Sequence, residues 1–179
     1  MEFDELIEKR RSVRAYDASR KVTKEQIKEL VYAAIQAPSW KNSQTARYYC
    51  VMSEELLARF AAEVFPEGNA KKSAGAALVV CTFVANRSGF DRDGNPDNEC
   101  GNGWGFYDLG MHNEHFLLKA ADMGLATLVM GIRDGAKARE ILNIPETETV
   151  VSIIAVGYPA GDLPEKPKRK EPEDILKFF

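Results

Sequence analysis

The chain has 179 residues, 45% of them hydrophobic and 28% charged, with no low-complexity tract; it is long enough for one full core and too short for two ordinary domains, so residues 1–179 are expected to form a single domain. Its net charge of −3 excludes general nucleic-acid binding, for which a basic excess supplies most of the affinity. The longest apolar stretch, residues 74–85, is too short to span a bilayer and reads as a core strand.

Phe3, Leu6 and Ile7 lie on one stripe of a short helix that runs into Arg10-Arg11-Ser12-Val13-Arg14. A second helix follows: Thr23 and Gln26 form a capping-box pattern, Ile27, Leu30, Val31, Ala34 and Ile35 recur at helical spacing, and Pro38 is expected to stop it. A polar loop, 39–45, leads to a strand over 46–52, and Ser53 caps a third helix carrying Leu56, Leu57, Phe60, Ala61 and Val64. The run 77–85 is rich in β-formers and apolar on both faces, which predicts a central strand in a sheet covered on both sides. Residues 86–103 form a long glycine- and aspartate-rich loop, a length that in a compact domain usually marks a functional or mobile segment.

The pattern over 104–123 predicts the longest helix, with Gly124 as its C-cap. Its apolar residues, among them Phe106, Leu109, Met111, Phe116 and Leu118, run round most of the circumference, which predicts burial on more than one side and favours a dimer. A strand over 125–131, a helix over 134–142 and a strand over 149–158 complete the body. Beyond Pro159 an arm, residues 160–179, carries a Pro/Lys-rich stretch and ends in Ile175, Leu176, Phe178 and Phe179, which are expected to pack on a partner subunit. The N-terminus is acidic and amphipathic, unlike a signal peptide, and the three cysteines form no CxxC pair, so a cytoplasmic protein is expected. Cys50 and Cys81, inside strand-like runs, read as buried small hydrophobes.

The arginine segment 10–14 concentrates three guanidiniums and a hydroxyl in five residues, a donor set that suits a phosphate or carboxylate. In extended backbone Arg10, Ser12 and Arg14 point to one side and Arg11 to the other. The other reading is a solvated basic end that stabilises the helix dipole. A second basic cluster, Lys166 to Lys170, would complete a clamp on one phosphate if the two chain ends met. The stretch from Ala37 to Gln44, with Pro38, Ser39, Trp40 and Asn42, is dense in donors and acceptors; it reads as turn chemistry or as a partner for a polar ring edge.

Three patterns are set aside. Gly101, Gly103 and Gly105 lack the spacing and the preceding strand of a dinucleotide-binding loop. Asp91, Asp93 and Asn95 begin like a calcium loop, but Pro96 occupies the glycine position. His112 and His115 lack further ligands, so no metal is expected. No nucleophile elbow is present.

In this order the motifs resemble the nitroreductase family of FMN enzymes over nearly the whole chain. The resemblance rests on Arg10-Arg11-Ser12-Val13-Arg14, on Ala37-Pro38-Ser39 with Asn42 and Gln44, and on Asn69 with Lys72. It continues through Trp104…Tyr107-Asp108-Leu109-Gly110 with the following 120–131 stretch, and Val156-Gly157-Tyr158-Pro159 with Arg169. It implies an α+β fold, a nitroreductase-like mixed sheet flanked by helices, in an interlocked homodimer. It further implies that Arg10, Ser12 and Arg169, with Lys168 helping, bind the FMN phosphate, and that Arg11 contributes through its backbone. Arg14 would lie near the flavin ring, where positive charge stabilises the reduced form. Pro38, Ser39 and Asn42 (Ser39 from the other subunit), Asn69, and backbone groups of Val129, Met130 and Gly131 would contact the flavin, while Lys72 and Trp40 would line the nicotinamide or substrate pocket. The implied activity is ping-pong hydride transfer from NAD(P)H through the flavin to a nitroaromatic, quinone or similar small-molecule acceptor. Dehydrogenation, dehalogenation, flavin breakdown and non-catalytic flavin binding use the same cofactor. Where the family often has Pro-Trp after the equivalent of Gln44, this chain has Thr45 and Ala46.

Overall fold

The structure is a computed structural model that describes residues 2–179. In chain order, helices α1 (Phe3–Lys9) and α2 (Lys24–Ala34) precede strand β1 (Ala46–Val51). Helices α3 (Glu54–Glu63) and α4 (Glu67–Ser73) then lead to β2 (Ala77–Val84). The long α5 (Gly103–Asp122), β3 (Ala126–Met130), α6 (Gly135–Leu142) and β4 (Glu148–Gly157) follow. Short 3-10 turns cover Trp40–Asn42 and Pro172–Asp174.

The strands form one sheet in the order β1-β2-β4-β3, antiparallel at every pairing. The parallel component of the expected mixed sheet is confined to an isolated bridge between Ser12 and Thr127. As its apolar pattern predicts, β2 is central, and alternation along it feeds two cores. Leu78 and Val80 pack with Phe60, Val64, Ala138 and Ile144, joining the α3 and α6 side. Val79, Cys81 and Phe83 pack with Leu30, Leu109 and Phe116, joining the α2 and α5 side.

Local signals account for most boundaries. Thr23 and Gln26 form the reciprocal capping box, at 3.2 and 3.0 Å, and Ser53 and Asp134 cap α3 and α6. α2 ends at Ala34, ahead of Pro38: the Gln36 and Ala37 N–H groups turn back onto the carbonyls of Ala33 and Ala34, and Ile35 is left exposed. α4 carries no apolar stripe and was not foreseen. The Ser73 hydroxyl donates back to the Asn69 carbonyl, and Lys71 pairs with Glu67 across one turn.

One expectation about burial is corrected. Cys81 is fully buried, its thiol pushed up to about 12 by that burial, whereas Cys50 is exposed. β1 is an edge strand with a neighbour on one side only, so its outward positions lack cover. Within the chain α5 is buried through Gly105, Asp108, Leu109, His112, Phe116, Leu117 and Ala120. Phe106 and Tyr107 on its other side stand exposed, as do Tyr32 and Ile35 on α2. The arm 160–179 is exposed throughout, including Ile175, Leu176, Phe178 and Phe179.

Candidate functional site

The arginine segment is laid against the free edge of the sheet. Val13 N–H donates to the Thr127 carbonyl of β3 at 2.9 Å beside the Ser12–Thr127 bridge, and Asp17 N–H donates to Tyr158 after β4 at 2.9 Å. Buried Tyr16 locks the crossing: its hydroxyl donates to the Val13 carbonyl at 3.0 Å, and burial pushes its pKa up, so it stays protonated. Residues 10–14 are thereby held as extended backbone on a rigid support.

The C-terminal arm comes back to the same place. Arg11 Nε donates to the Pro164 carbonyl at 3.1 Å, and Lys166 pairs with Glu8. As a result Arg10, Arg11, Ser12, Arg14 and Arg169 line a single cleft of about 120 Å³, together with Glu165 and the prolines 164 and 167. The two basic clusters, separate in sequence, therefore meet. Arg10 is held loosely, 3.8 Å from Glu114, and among the described residues Arg169 bonds only to its neighbouring Pro167 carbonyl, so both guanidiniums keep donors for a ligand. Arg11 behaves as a helix-end residue: its other donors close onto the carbonyls of Glu8 and Arg10. Lys168 does not line the cleft.

Further along β3, Val129 is exposed while the Met130 side chain turns into the core, leaving its backbone as the available part. Gly131 and Ile132 are exposed beyond it. Asn69 reaches this point from α4, its amide donating to the Ile132 carbonyl at 2.8 Å; Lys72, one turn on, is exposed. The β3 edge thus carries a strip that begins at the arginine cleft, passes Arg14 and ends at Val129, Gly131, Asn69 and Lys72.

The 38–44 loop is not part of that strip. It enters β1, at the opposite edge of the sheet, three strand spacings or about 14 Å across. There the Ser39 hydroxyl accepts the Gln44 N–H at 3.1 Å, and Lys41, Asn42 and Gln44 all take positive φ, between 47° and 54°. Three non-glycine residues in this left-handed region within four positions are costly and need support.

That support includes Asp108, whose role sequence reading missed. It is 2% exposed on α5, and its carboxylate accepts the Trp40 N–H at 2.9 Å and the Ser88 hydroxyl. The available signal was an acid standing in the apolar stripe of α5. His112 bonds the Asp108 carbonyl and His115 the Ala33 carbonyl, so the two histidines serve different partners; among the described residues no cluster suits a metal. Gly105 is a packing residue against Phe83, and the Asp91 carboxylate is occupied by the N–H groups of Asp93 and Asn95. No helix among the described residues is long and apolar enough to cross a membrane.

Comparison with known proteins converges on one family. A model described as the Nitroreductase family matches residues 7–158. A protein of Archaeoglobus fulgidus named "Putative NADH dehydrogenase/NAD(P)H nitroreductase" is 31% identical over 177 residues, covering 95% of this chain and 94% of its own. The crystal structure of a nitroreductase family protein from Streptococcus pneumoniae TIGR4 superimposes with a TM-score of 0.83 at 20% identity, over 99% of this chain and 100% of that one. A protein of Exiguobacterium sibiricum solved in complex with FMN superimposes with a TM-score of 0.81 at 20% identity, over 100% and 98%.

Proposed function

The chain belongs to the nitroreductase family, and on that premise we propose that it is an FMN-dependent oxidoreductase, a cytoplasmic homodimer that moves electrons from NAD(P)H to a nitroaromatic, quinone or similar small acceptor. The observation that carries this reading is the cleft where Arg10, Ser12, Arg14 and Arg169 converge. Its donor set fits a phosphate monoester, since guanidiniums and a hydroxyl with spare donors are what a dianion needs. The FMN-bound structural neighbour and the NAD(P)H in the name of the relative support the choice of cofactor and donor.

Arg10, Ser12 and Arg169 would hold the phosphate. When bound, FMN supplies a ring that accepts hydride and passes electrons on, so no protein nucleophile is required. The chain's own contribution is position and charge. Arg14 sets a fixed positive charge beside the β3 edge, where a ring that gains negative charge is stabilised. Val129, Met130 and Gly131 present backbone donors and acceptors at an exposed strand end, and Asn69 fixes that end through Ile132. Lys72 is exposed on α4, one turn on from Asn69.

Pro38, Ser39 and Asn42 lie at the other sheet edge, so their part in the same site requires a second copy of the chain. The exposed Tyr32, Ile35, Phe106 and Tyr107 and the apolar end of the arm are the surfaces a homodimer would cover. The reading predicts that donor and acceptor use one pocket in turn. Initial rates with NADH or NADPH varied against a quinone should give parallel double-reciprocal lines. Intersecting lines would contradict alternation, and bound FMN without turnover of any acceptor would favour a flavin-binding protein.

A further inference from the structure

A second cleft, of about 710 Å³, opens between the 40–43 turn and the 86–94 loop. This volume suits a small aromatic ligand. Its walls are fastened to each other from below. Asp108 bonds Trp40 on one wall and Ser88 on the other. Asp97 accepts the Trp40 Nε1–H at 3.1 Å and the Lys41 ammonium at 2.7 Å. The Trp40 ring is braced on Trp104, with centroids 4.4 Å apart. Four of the five non-glycine residues with left-handed backbone among the described residues, Lys41, Asn42, Gln44 and Asn86, flank this cleft. Backbone held against its preference by a buried carboxylate is a feature of binding sites.

The chemistry inside is specific. Trp40 and Phe90 offer ring surfaces. Lys41 is neutralised by Asp97, and the lining carboxylate of Asp91 is occupied by backbone N–H groups and the Asn95 amide. Arg87 and Arg92 remain, with no side-chain hydrogen bond or ion pair among the described residues. Aromatic walls with two free guanidiniums describe a receptor for a ring that carries an acidic group.

We propose that this cleft binds an aromatic anion, its ring against Trp40 and Phe90 and its acidic group on Arg87 and Arg92. The cleft itself stands on its own geometry. That its occupant is the electron acceptor, an aromatic carboxylate, rests on the oxidoreductase reading and on Trp40 following Ser39 directly.

The test is calorimetric titration of the purified full chain, with no NAD(P)H present, using 4-nitrobenzoate, its neutral analogue 4-nitrobenzyl alcohol, and ADP-ribose. The expected result is nitrobenzoate binding roughly tenfold tighter than the alcohol, with the difference lost in the Arg87→Gln/Arg92→Gln variant. Both arginines are exposed, so that variant is expected to melt with the wild type. Equal binding of the two nitro compounds, or a preference that survives in the variant, overturns the proposal. Arginine-dependent binding of ADP-ribose without a carboxylate preference overturns it in favour of the donor's phosphates. Because the titration needs no turnover, nitrobenzoate binding in a chain that fails to oxidise NAD(P)H would sink the oxidoreductase reading and leave the cleft standing.

Discussion

Replacing Arg10 with alanine is expected to weaken FMN binding by on the order of 1.5–3 kcal/mol, or roughly ten- to a hundredfold, the usual cost of a lost charge-assisted bond to phosphate. Arg169→Ala should fall at the lower end of that range, because the arm it stands on is exposed and solvent screens its charge. The two contacts come from opposite ends of the chain and converge on one cleft, so the double variant should lose FMN during purification. Lys168→Ala, outside the cleft, should cost much less. Arg11→Ala should act on stability more than on affinity, since its guanidinium is spent on the carbonyls of Glu8, Arg10 and Pro164. Fluorescence titration with FMN separates these cases, and unchanged affinity in both Arg10→Ala and Arg169→Ala would refute the clamp.

Gly105→Ala should be the most damaging single-methyl change on the scaffold. Helix propensity alone would make it favourable by about 1 kcal/mol. At this position, however, the new Cβ would sit 2.3, 2.4 and 3.0 Å from three ring atoms of Phe83, well inside van der Waals contact. That ring is 1% exposed on the central strand and stacked edge-on against Phe106, so it has nowhere to move. Overpacking of this kind costs about 1–3 kcal/mol or more and should outweigh the propensity gain, lowering Tm by several degrees for a chain of this size. Gly68→Ala on α4, where a Cβ meets nothing within 4 Å, should be neutral or mildly stabilising. Thermal melts of the two variants decide it: a Gly105→Ala protein as stable as the wild type would mean that α5 does not approach β2 as closely as described.

What was legible in the sequence was what depends on neighbours. The Thr23–Gln26 box, the Ser53 cap, the doubly apolar β2 and the long α5 follow from spacing along the chain, and each is present. The arginine segment was visible as a donor set but open between a helix end and a ligand site. The structure divides it: Arg10, Arg11, Ser12 and Arg14 all line one cleft, but the Arg11 guanidinium is spent on backbone carbonyls. That division depends on where the arm returns, a pairing across 153 positions between Arg11 and Pro164 that no local pattern encodes. α4 was missed because a seven-residue helix with Gly68 and two lysines has no apolar period to detect. Cys50 was misplaced because its strand reads apolar, and only the strand order shows that it forms an edge. The role of Asp108 stayed hidden for a related reason, since its partners Trp40 and Ser88 lie 68 and 20 positions away.

The central claim is that this chain carries FMN and reduces it with a nicotinamide donor. Anaerobic stopped-flow mixing of the FMN-loaded protein with NADH, and separately with NADPH, tests it most directly. The expected result is bleaching of the flavin absorbance near its visible maximum by at least one donor, followed by return of the colour when a quinone or nitroaromatic is added. A protein that stays colourless after incubation with FMN, or whose bound flavin neither donor bleaches, would contradict the account.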